Sequence, residues 1–145
     1  MRILGIDFGD SRTGIAVSDP LGWTAQGLEV FNGSMDKAAG HIARLARQYE
    51  ASAIVVGYPV NMDGSKGFRA ERTDKFIEIL KEHIDDGIAD IVKWDERLTS
   101  AQAARVLKAS GVRPTARGVR EKGKLDILSA AILLQSYLDS RQGGG

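Results

Sequence analysis

The apolar run Ala53–Gly57 constrains the fold of this chain more than any other segment. Its sequence, Ala-Ile-Val-Val-Gly, is continuous, rich in β-branched residues and closely followed by Pro59. A strand with one solvated face would alternate apolar and polar residues, so an unbroken run predicts a strand buried on both faces. Apolar residues at helical spacing over Asp36–Tyr49 and Arg69–Ile84 predict helices that cover it.

Four further segments predict the other strands of this sheet. Ile3–Phe8 and Gly14–Ser18 are apolar runs joined by Gly-Asp-Ser-Arg-Thr, a link whose composition predicts a hairpin loop. Trp23–Phe31 and Ile88–Trp94 predict two more strands. A hairpin followed by alternating helices and strands is typical of a mixed α/β sheet with helices on both faces.

The last third of the sequence predicts two helices separated by a loop. The first helix begins at Thr99 and ends at Gly111. Arg113–Gly123 is polar and basic and contains a proline, which predicts a mobile loop. Lys124–Leu138 has helical spacing, and residues 140–145 predict a flexible tail.

Composition excludes several classes of protein. No apolar run approaches the roughly 18 residues that a membrane span needs, and the early Asp7 argues against a signal peptide. The absence of cysteine excludes disulfides and thiolate metal sites. A length of 145 residues suits one domain, which we expect over residues 1–139. We therefore expect one cytoplasmic globular domain with no membrane partner.

Positive charge is concentrated in one stretch of the sequence. From Arg97 to Lys124 there are eight basic residues and only one acidic residue, Glu121, whereas the whole chain has a net charge of +1. The basic residues are Arg97, Arg105, Lys108, Arg113, Arg117, Arg120, Lys122 and Lys124. This asymmetry indicates either a polyanionic partner or a solvated basic surface, and charge alone leaves both open.

Three acidic residues stand at the ends of predicted elements. Asp7 lies at an apolar strand, Glu96 follows the strand predicted before it, and Asp126 lies in the first turn of the last helix. Each has a structural explanation: a turn cap for Asp7, an ion pair with Arg97 for Glu96, and a favourable helix-terminal charge for Asp126. Strand ends and an adjacent helix also converge at one edge of an α/β sheet, which would bring the three together.

Three converging carboxylates would repel one another unless a cation were bound. Mg²⁺ takes oxygen ligands, and two such ions could activate water and stabilise a leaving oxygen in phosphodiester hydrolysis. The chain has no cysteine, and its only histidines, His41 and His83, lie on predicted helices. An oxygen-ligand site therefore fits this composition better than a zinc site.

An ordered set of motifs resembles the YqgF family, also called RuvX, of the ribonuclease H-like superfamily. The motifs are Ile3–Gly9 with Arg12–Ala16, Val56–Pro59 with Asn61–Gly64, Asp95–Thr99, and Lys124–Asp126 with Ala130–Leu134. They span nearly the whole chain, and the usual Gly-Leu-Pro of the family is Gly-Tyr-Pro here. The family includes candidate pre-16S rRNA nucleases and is related to Holliday junction resolvases of the RuvC type.

The resemblance implies a ribonuclease H-like, five-stranded mixed sheet with one antiparallel strand. It also implies a cytoplasmic nuclease whose catalytic, metal-binding triad is Asp7, Glu96 and Asp126. With Mg²⁺ or Mn²⁺, this triad would support phosphodiester hydrolysis at the 5′ end of pre-16S rRNA. In this interpretation the nucleic-acid contacts are Arg12, Thr13, Arg113, Arg117, Arg120, Lys122 and Lys124. For Arg12 and Thr13 a tight hairpin is an equal alternative.

Other functions remain open at this stage. A four-way DNA junction is the alternative substrate, and it would require a homodimer making two cuts, whereas RNA processing is compatible with a monomer. A non-catalytic nucleic-acid-binding module would use the carboxylates structurally, and metal-dependent cleavage separates it from an enzyme. The motif Asp7-Phe8-Gly9 also occurs in actin-like phosphotransferases, but this chain is too short for their second lobe.

Overall fold

The computed structural model describes residues 2–61, 63–84, 89–96 and 119–143, and for residues 119–126 and 142–143 it describes the backbone alone. The elements in these ranges are β1 (Arg2–Asp7), β2 (Arg12–Ser18), β3 (Ala25–Asn32), α1 (Met35–Gln48), β4 (Ala51–Tyr58), α2 (Phe68–His83), β5 (Asp90–Asp95) and α3 (Val119–Gly143). The strands form one sheet with β1 at its centre, in the order β3-β2-β1-β4-β5.

Strand directions in this sheet confirm the predicted mixed topology. β2 runs antiparallel to both of its neighbours, β1 and β3, whereas β4 is parallel to β1 and β5 is parallel to β4. The predicted hairpin explains why β2 is antiparallel to β1, because a short link between neighbouring strands reverses the direction of the chain. The parallel strands are joined through helices, as parallel connections require. The sheet therefore has five strands, one of them antiparallel to the rest.

The two faces of the sheet are covered by different helices. On one face, which we call the α1–α2 face, Ile54 and Val56 pack in a buried cluster with Phe76 of α2. On the other, the α3 face, Val55 packs with Leu133 and other residues of α3. Alternate residues of β4 thus enter two separate cores, which confirms that this strand is buried on both sides.

The boundaries of the C-terminal helix differ from the sequence prediction. We predicted a loop through Gly123, but α3 begins at Val119, so the loop prediction is wrong for residues 119–123. Arg, Glu and Lys follow Val119, and these good helix formers offset the cost of about 1 kcal/mol for a glycine inside a helix. α3 also continues past Leu138 to Gly143, so the predicted tail is helical as far as that residue.

Some predictions fall on residues that the structure does not describe. These are the helix Thr99–Gly111, the loop residues 113–118 and the last two residues of the chain. Among the described residues, no helix combines the length and the apolar character that crossing a bilayer requires.

Glycines allow α3 to lie directly on the sheet. A Cβ atom built on Gly5 of β1 would lie 2.6 Å from the Cβ of Leu134 and 3.2 Å from the carbonyl oxygen of Ala130. One built on Gly27 of β3 would lie 2.3 Å from Cγ2 of Ile127. Real side chains do not tolerate such distances, so any residue larger than glycine at these positions would push the helix away from the sheet.

Gly5→Ala is predicted to destabilise the fold. The added methyl meets a Cβ and a backbone oxygen, neither of which can rotate away, so the free energy of unfolding should fall by about 1–3 kcal/mol. Gly40→Ala is the matched control, because its Cβ would meet only ordinary contacts at 3.6 Å inside α1. It should raise stability by up to about 1 kcal/mol. Urea unfolding measures both, and equal effects of the two substitutions would contradict the packing argument.

Candidate functional site

The ends of four strands meet at one edge of the sheet. β1, β4 and β5 are parallel and end there at Asp7, Tyr58 and Asp95, and the antiparallel β2 begins there at Arg12. We call this the carboxyl edge. Side chains that follow the ends of parallel strands are brought together at such an edge, which is where α/β proteins commonly bind ligands.

Glu96 lies at the carboxyl edge immediately after β5, and its side chain folds back over β4. A Cβ atom built on Gly57 would lie 3.0 Å from Oε1 of Glu96 and 2.9 Å from Cδ1 of Leu133. The carboxylate of Glu96 therefore lies on the α3 face, in a space that a side chain at residue 57 would fill. Gly57 belongs to a motif noted in the sequence, but the sequence alone did not assign it this role.

Asp7 is the last residue of β1 and lies on the same face of the sheet. Ile3 and Gly5 contact α3, and strand alternation places Asp7 on that face as well. Ile6 pairs with Val56 of β4, so the next position along β1 lies beside Gly57. The structure therefore brings Asp7 and Glu96 to the carboxyl edge on the α3 face of the sheet, where Gly57 lies between them.

Asp126 is the third predicted member of this group, and only its backbone is described. Ala130 contacts Gly5, and Leu134 and Leu138 follow it toward the start of β1, so α3 runs antiparallel to β1. Residue 126 lies one helical turn before Ala130, about 6 Å closer to the carboxyl edge along the helix axis. The backbone thus approaches the site, while the position of the carboxylate lies outside the described part of the chain.

The electrostatic environment of Glu96 is mixed. Burial raises the pKa of its carboxyl group, and the negative charge of Asp95 raises it further. The Arg69 guanidinium lowers the pKa, but the net result is a pKa above the ordinary value. Nη2 of Arg69 lies 3.9 Å from Oε2 of Glu96. The sequence suggested Arg97 as the partner of Glu96, but Arg97 lies outside the described residues. Arg69 comes from a distant helix, which no local pattern indicated.

The donor atoms at this site suit a hard divalent cation. Within the described residues, no group of three His, Cys, Asp or Glu side chains is arranged to hold a metal ion. Asp7 and Glu96 supply carboxylate oxygens, and Mg²⁺ commonly binds through one or two carboxylates with water and phosphate completing its shell. The Glu96 carboxylate occupies the space over Gly57, and the oxygen atoms of these two carboxylates fit the ligand chemistry of such an ion.

The hairpin at the carboxyl edge is tightly closed. A Cβ built on Gly9 would lie 2.4 Å from the carbonyl oxygen of Arg12, so only glycine fits this turn. Thr13 is 1% exposed, and its hydroxyl donates to the carbonyl oxygen of Gly9 at 3.5 Å. The sequence left two roles open for Thr13, a nucleic-acid contact and a tight hairpin. Its side chain makes a hydrogen bond within the hairpin. Arg12 is half-buried at the start of β2.

The other predicted nucleic-acid contacts are placed only in part. Arg120, Lys122 and Lys124 lie in the first turns of α3, where the backbone alone is described. Arg113 and Arg117 lie outside the described residues.

A charged cluster holds α2 against the carboxyl edge from the α1–α2 face. Asp74 of α2 accepts hydrogen bonds from the Tyr58 hydroxyl at 2.8 Å and from Lys93 Nζ at 2.9 Å. Lys66 lies 3.7 Å from the same carboxylate, and both lysines approach the Tyr58 ring. Because Tyr58 and Lys93 belong to β4 and β5, this cluster fixes α2 relative to the strands that precede the site.

Comparison with known proteins agrees with this geometry. The sequence matches the RuvX family, described as Holliday junction resolvase, over residues 1–140. A relative from Ruminiclostridium cellulolyticum, named as a candidate pre-16S rRNA nuclease, is 48% identical over 145 residues, covering 99% of this chain and 97% of the relative. One of the same name from Acetivibrio thermocellus is 43% identical over 143 residues, covering 97% of each chain.

Among solved structures, the fold is similar to that of Thermus thermophilus RuvC in complex with a Holliday junction substrate. The TM-score is 0.66 at 15% sequence identity, and the match covers 99% of this chain and 96% of the other. At this identity the likeness concerns the fold alone, and it confirms the ribonuclease H-like architecture expected from the sequence motifs.

The stability contributed by Asp74 is predicted to depend on pH. Burial raises its pKa, but hydrogen bonds from Lys93 and Tyr58 and the charges of Lys93 and Lys66 outweigh burial and hold the pKa below its ordinary value. A lowered pKa stabilises the fold above the unfolded value of about 3.9, and this contribution is lost as pH falls through the folded pKa. Asp74→Asn should therefore lower the free energy of unfolding at neutral pH, with the difference narrowing below about pH 4.

The measurement is urea unfolding of parent and Asp74→Asn protein across this pH range. Asp90→Asn, which changes an exposed carboxylate at the opposite end of β5, is the control and should have a smaller effect at neutral pH. A difference between parent and Asp74→Asn that does not change with pH would contradict the assignment.

Proposed function

The chain belongs to the RuvX family of nucleases, and from this premise we propose that it cleaves phosphodiester bonds of ribosomal RNA precursors with the help of divalent metal ions. The observation that carries this proposal is the pairing of Asp7 and Glu96 at one edge and one face of the sheet, around Gly57. Asp126 of α3 is the proposed third ligand. Mg²⁺ or Mn²⁺ bound there would supply activation of water and stabilisation of the leaving oxygen.

The residues of the chain have separate roles in this proposal. Asp7 and Glu96 present carboxylate oxygens on the rigid ends of β1 and β5. Gly57 leaves the space in which the Glu96 carboxylate lies, and Arg69 favours its ionised form. Since burial disfavours ionisation of Glu96, the Arg69 guanidinium favours the ionised form that would bind metal, and a bound cation would stabilise that form further.

In this proposal, basic residues bind the phosphate backbone of the substrate. Arg12 at the hairpin and Arg113, Arg117, Arg120, Lys122 and Lys124 near the start of α3 are the proposed phosphate contacts, with Thr13 acting through the hairpin backbone. Clustered cations gain affinity for a polyanion because they release its condensed counterions. Such contacts position the substrate without reading its sequence.

The relatives favour RNA over DNA as the substrate. Both relatives described above, at 48% and 43% identity, carry names that refer to pre-16S rRNA, which supports this RNA as the substrate. The proposed cleavage site is its 5′ end. The family description, Holliday junction resolvase, supports a four-way DNA junction as the second candidate. A junction requires two symmetric cuts and hence a homodimer, whereas trimming one RNA strand is possible for a monomer. A ribosomal RNA precursor also implies a cytoplasmic enzyme.

Asp7→Asn and Glu96→Gln should each reduce cleavage by about two orders of magnitude or more, since each removes a proposed metal ligand. Both variants should bind RNA nearly as the parent does and remain folded. The matched control is Asp90→Asn, which removes a carboxylate from the opposite edge and should cleave at the parental rate. Full activity of purified Asp7→Asn protein would overturn the proposed mechanism.

The assay compares a labelled pre-16S rRNA fragment and a synthetic four-way junction side by side, each with Mg²⁺ and with EDTA. The proposal expects RNA cleavage that EDTA abolishes. Cleavage of the junction alone would favour the second candidate, and metal-independent binding without cleavage of either would identify a non-catalytic module.

Gly57→Ala tests whether cleavage depends on the position of the Glu96 carboxylate, because it leaves the Glu96 side chain itself unchanged. The added Cβ would lie 3.0 Å from Glu96 Oε1, and the carboxylate would have to move. A displacement of about 1 Å at a reacting group can cost on the order of a hundredfold in rate, so the cleavage rate should fall to a comparable extent. The terminal methyl of Leu133 can rotate away, so stability should change little. Parental activity in Gly57→Ala protein would show that this space is not needed.

A further inference from the structure

Phe68 is an exposed aromatic residue at the carboxyl edge. It is the first residue of α2, and 72% of it is accessible to solvent. In the described part of the chain, the other large exposed apolar residues are Leu21 and Trp23, in the loop at the opposite edge of the sheet. A phenylalanine exposed to this extent contributes little to the core, so its ring is accessible to a binding partner.

The surroundings of Phe68 connect it directly to the site. Arg69 follows it, with a side chain that is 70% exposed and a guanidinium 3.9 Å from the Glu96 carboxylate. One turn further along α2, Nε of Arg72 donates to Oδ1 of Asp10 at 3.0 Å and so fixes this end of the helix to the β1–β2 hairpin. Phe68 thus directly precedes, at the start of α2, the arginine that forms an ion pair with Glu96.

A shallow cleft of about 70 Å³ lies between the hairpin and the start of α2, lined by Phe8, Asp10, Phe68, Arg69 and Arg72 among others. Its base is rigid, because Phe8 stacks on the buried Phe76 with ring centroids 4.4 Å apart. Sites for small molecules have volumes of about 300–1,000 Å³, so this cleft cannot enclose a metabolite. It suits a flat group that lies on the surface.

An exposed aromatic ring beside an arginine whose side chain is largely exposed is a combination that binds single-stranded nucleic acid. Bases stack on such rings whatever their sequence, while arginine contacts the backbone phosphates. A base within a duplex is already stacked on both sides, so only an unpaired base is available to the ring. Because the Arg69 guanidinium lies 3.9 Å from the Glu96 carboxylate, a phosphate that contacts Arg69 would lie near the proposed catalytic carboxylates.

We propose that Phe68 and Arg69 form a binding site for an unpaired nucleotide next to the scissile phosphate, in which the base stacks on Phe68 and the phosphate contacts Arg69. This inference rests on the proposed function, because it takes RNA as the substrate. The site adds a selectivity for unpaired nucleotides that the carboxylates do not provide. The enzyme then cuts single-stranded segments of RNA in preference to duplex segments.

The test measures binding in EDTA, so that cleavage plays no part. The probes are a short fluorescent single-stranded RNA and the same strand annealed to its complement. Phe68→Ala should weaken binding of the single strand on the order of tenfold and leave duplex binding unchanged. Phe68→Trp should retain parental affinity, whereas Phe68→Leu, which keeps the apolar bulk without the aromatic face, should behave as the alanine variant. Trp23→Ala, an exposed aromatic at the opposite edge, is the matched control and should bind as the parent does.

Three results would overturn the inference. One is parental single-strand affinity in the Phe68→Leu variant, and another is an equal loss of single-strand and duplex binding in the Phe68→Ala variant. The third is a lowered Tm of Phe68→Ala protein with parental binding, which would mean that the ring packs against the chain itself. The proposed function is tested separately. If the parent does not cleave RNA but its binding depends on Phe68, only the nuclease mechanism is refuted. If the parent cleaves RNA but its binding does not depend on Phe68, only this site is refuted.

Discussion

The direct contact between α3 and the backbone of the sheet determines where the groups of the carboxyl edge can lie. Gly5, Gly27 and Gly57 each leave a space that a residue of α3 or the side chain of Glu96 enters. Without Gly5 and Gly27 the helix would be displaced, because interiors pack too densely to absorb the additional methyl groups. The helix that carries Asp126 and the strand that carries Asp7 are thus held in fixed register, which a site of converging carboxylates requires.

Two carboxylates near this edge illustrate how the faces of the sheet differ. Asp74, on the α1–α2 face, is surrounded by Lys93, Tyr58 and Lys66, which lower its pKa below the ordinary value. Glu96, on the α3 face, has its pKa raised by burial and by the charge of Asp95, although the Arg69 guanidinium opposes this shift. A carboxylate whose pKa is lowered by its partners is already stabilised as an anion, whereas one whose pKa is raised by burial gains more from an added cation.

The sequence predicted the order of strands and helices along the chain and the convergence of strand ends at one edge, because both follow from local patterns. The unbroken run Ala53–Gly57 requires cover on both faces, and the ends of parallel strands must share an edge, which places Asp7 and Glu96 near each other. The role of Gly57, the pairing of Glu96 with Arg69 and the exposure of Phe68 were not predictable, since each depends on contacts between residues far apart in the sequence. The start of α3 was misplaced because the two glycines and the basic residues after Arg113 resemble a loop, although the segment from Val119 has enough helix formers to propagate a helix.

The position of Phe68 also bears on the choice between RNA ends and four-way junctions. A junction consists of duplex arms, so a base would have to leave its stack before it could reach the ring, at a cost of a few kcal/mol. An unpaired RNA segment carries no such cost, and stacking then adds directly to the affinity of the strand. If one nucleotide is held by Phe68 and Arg69, the adjacent phosphate is delivered to the carboxylates without any requirement for symmetry or a second subunit. The proposed site at Phe68 and Arg69 therefore suits a flexible single strand better than a base that must first leave a duplex.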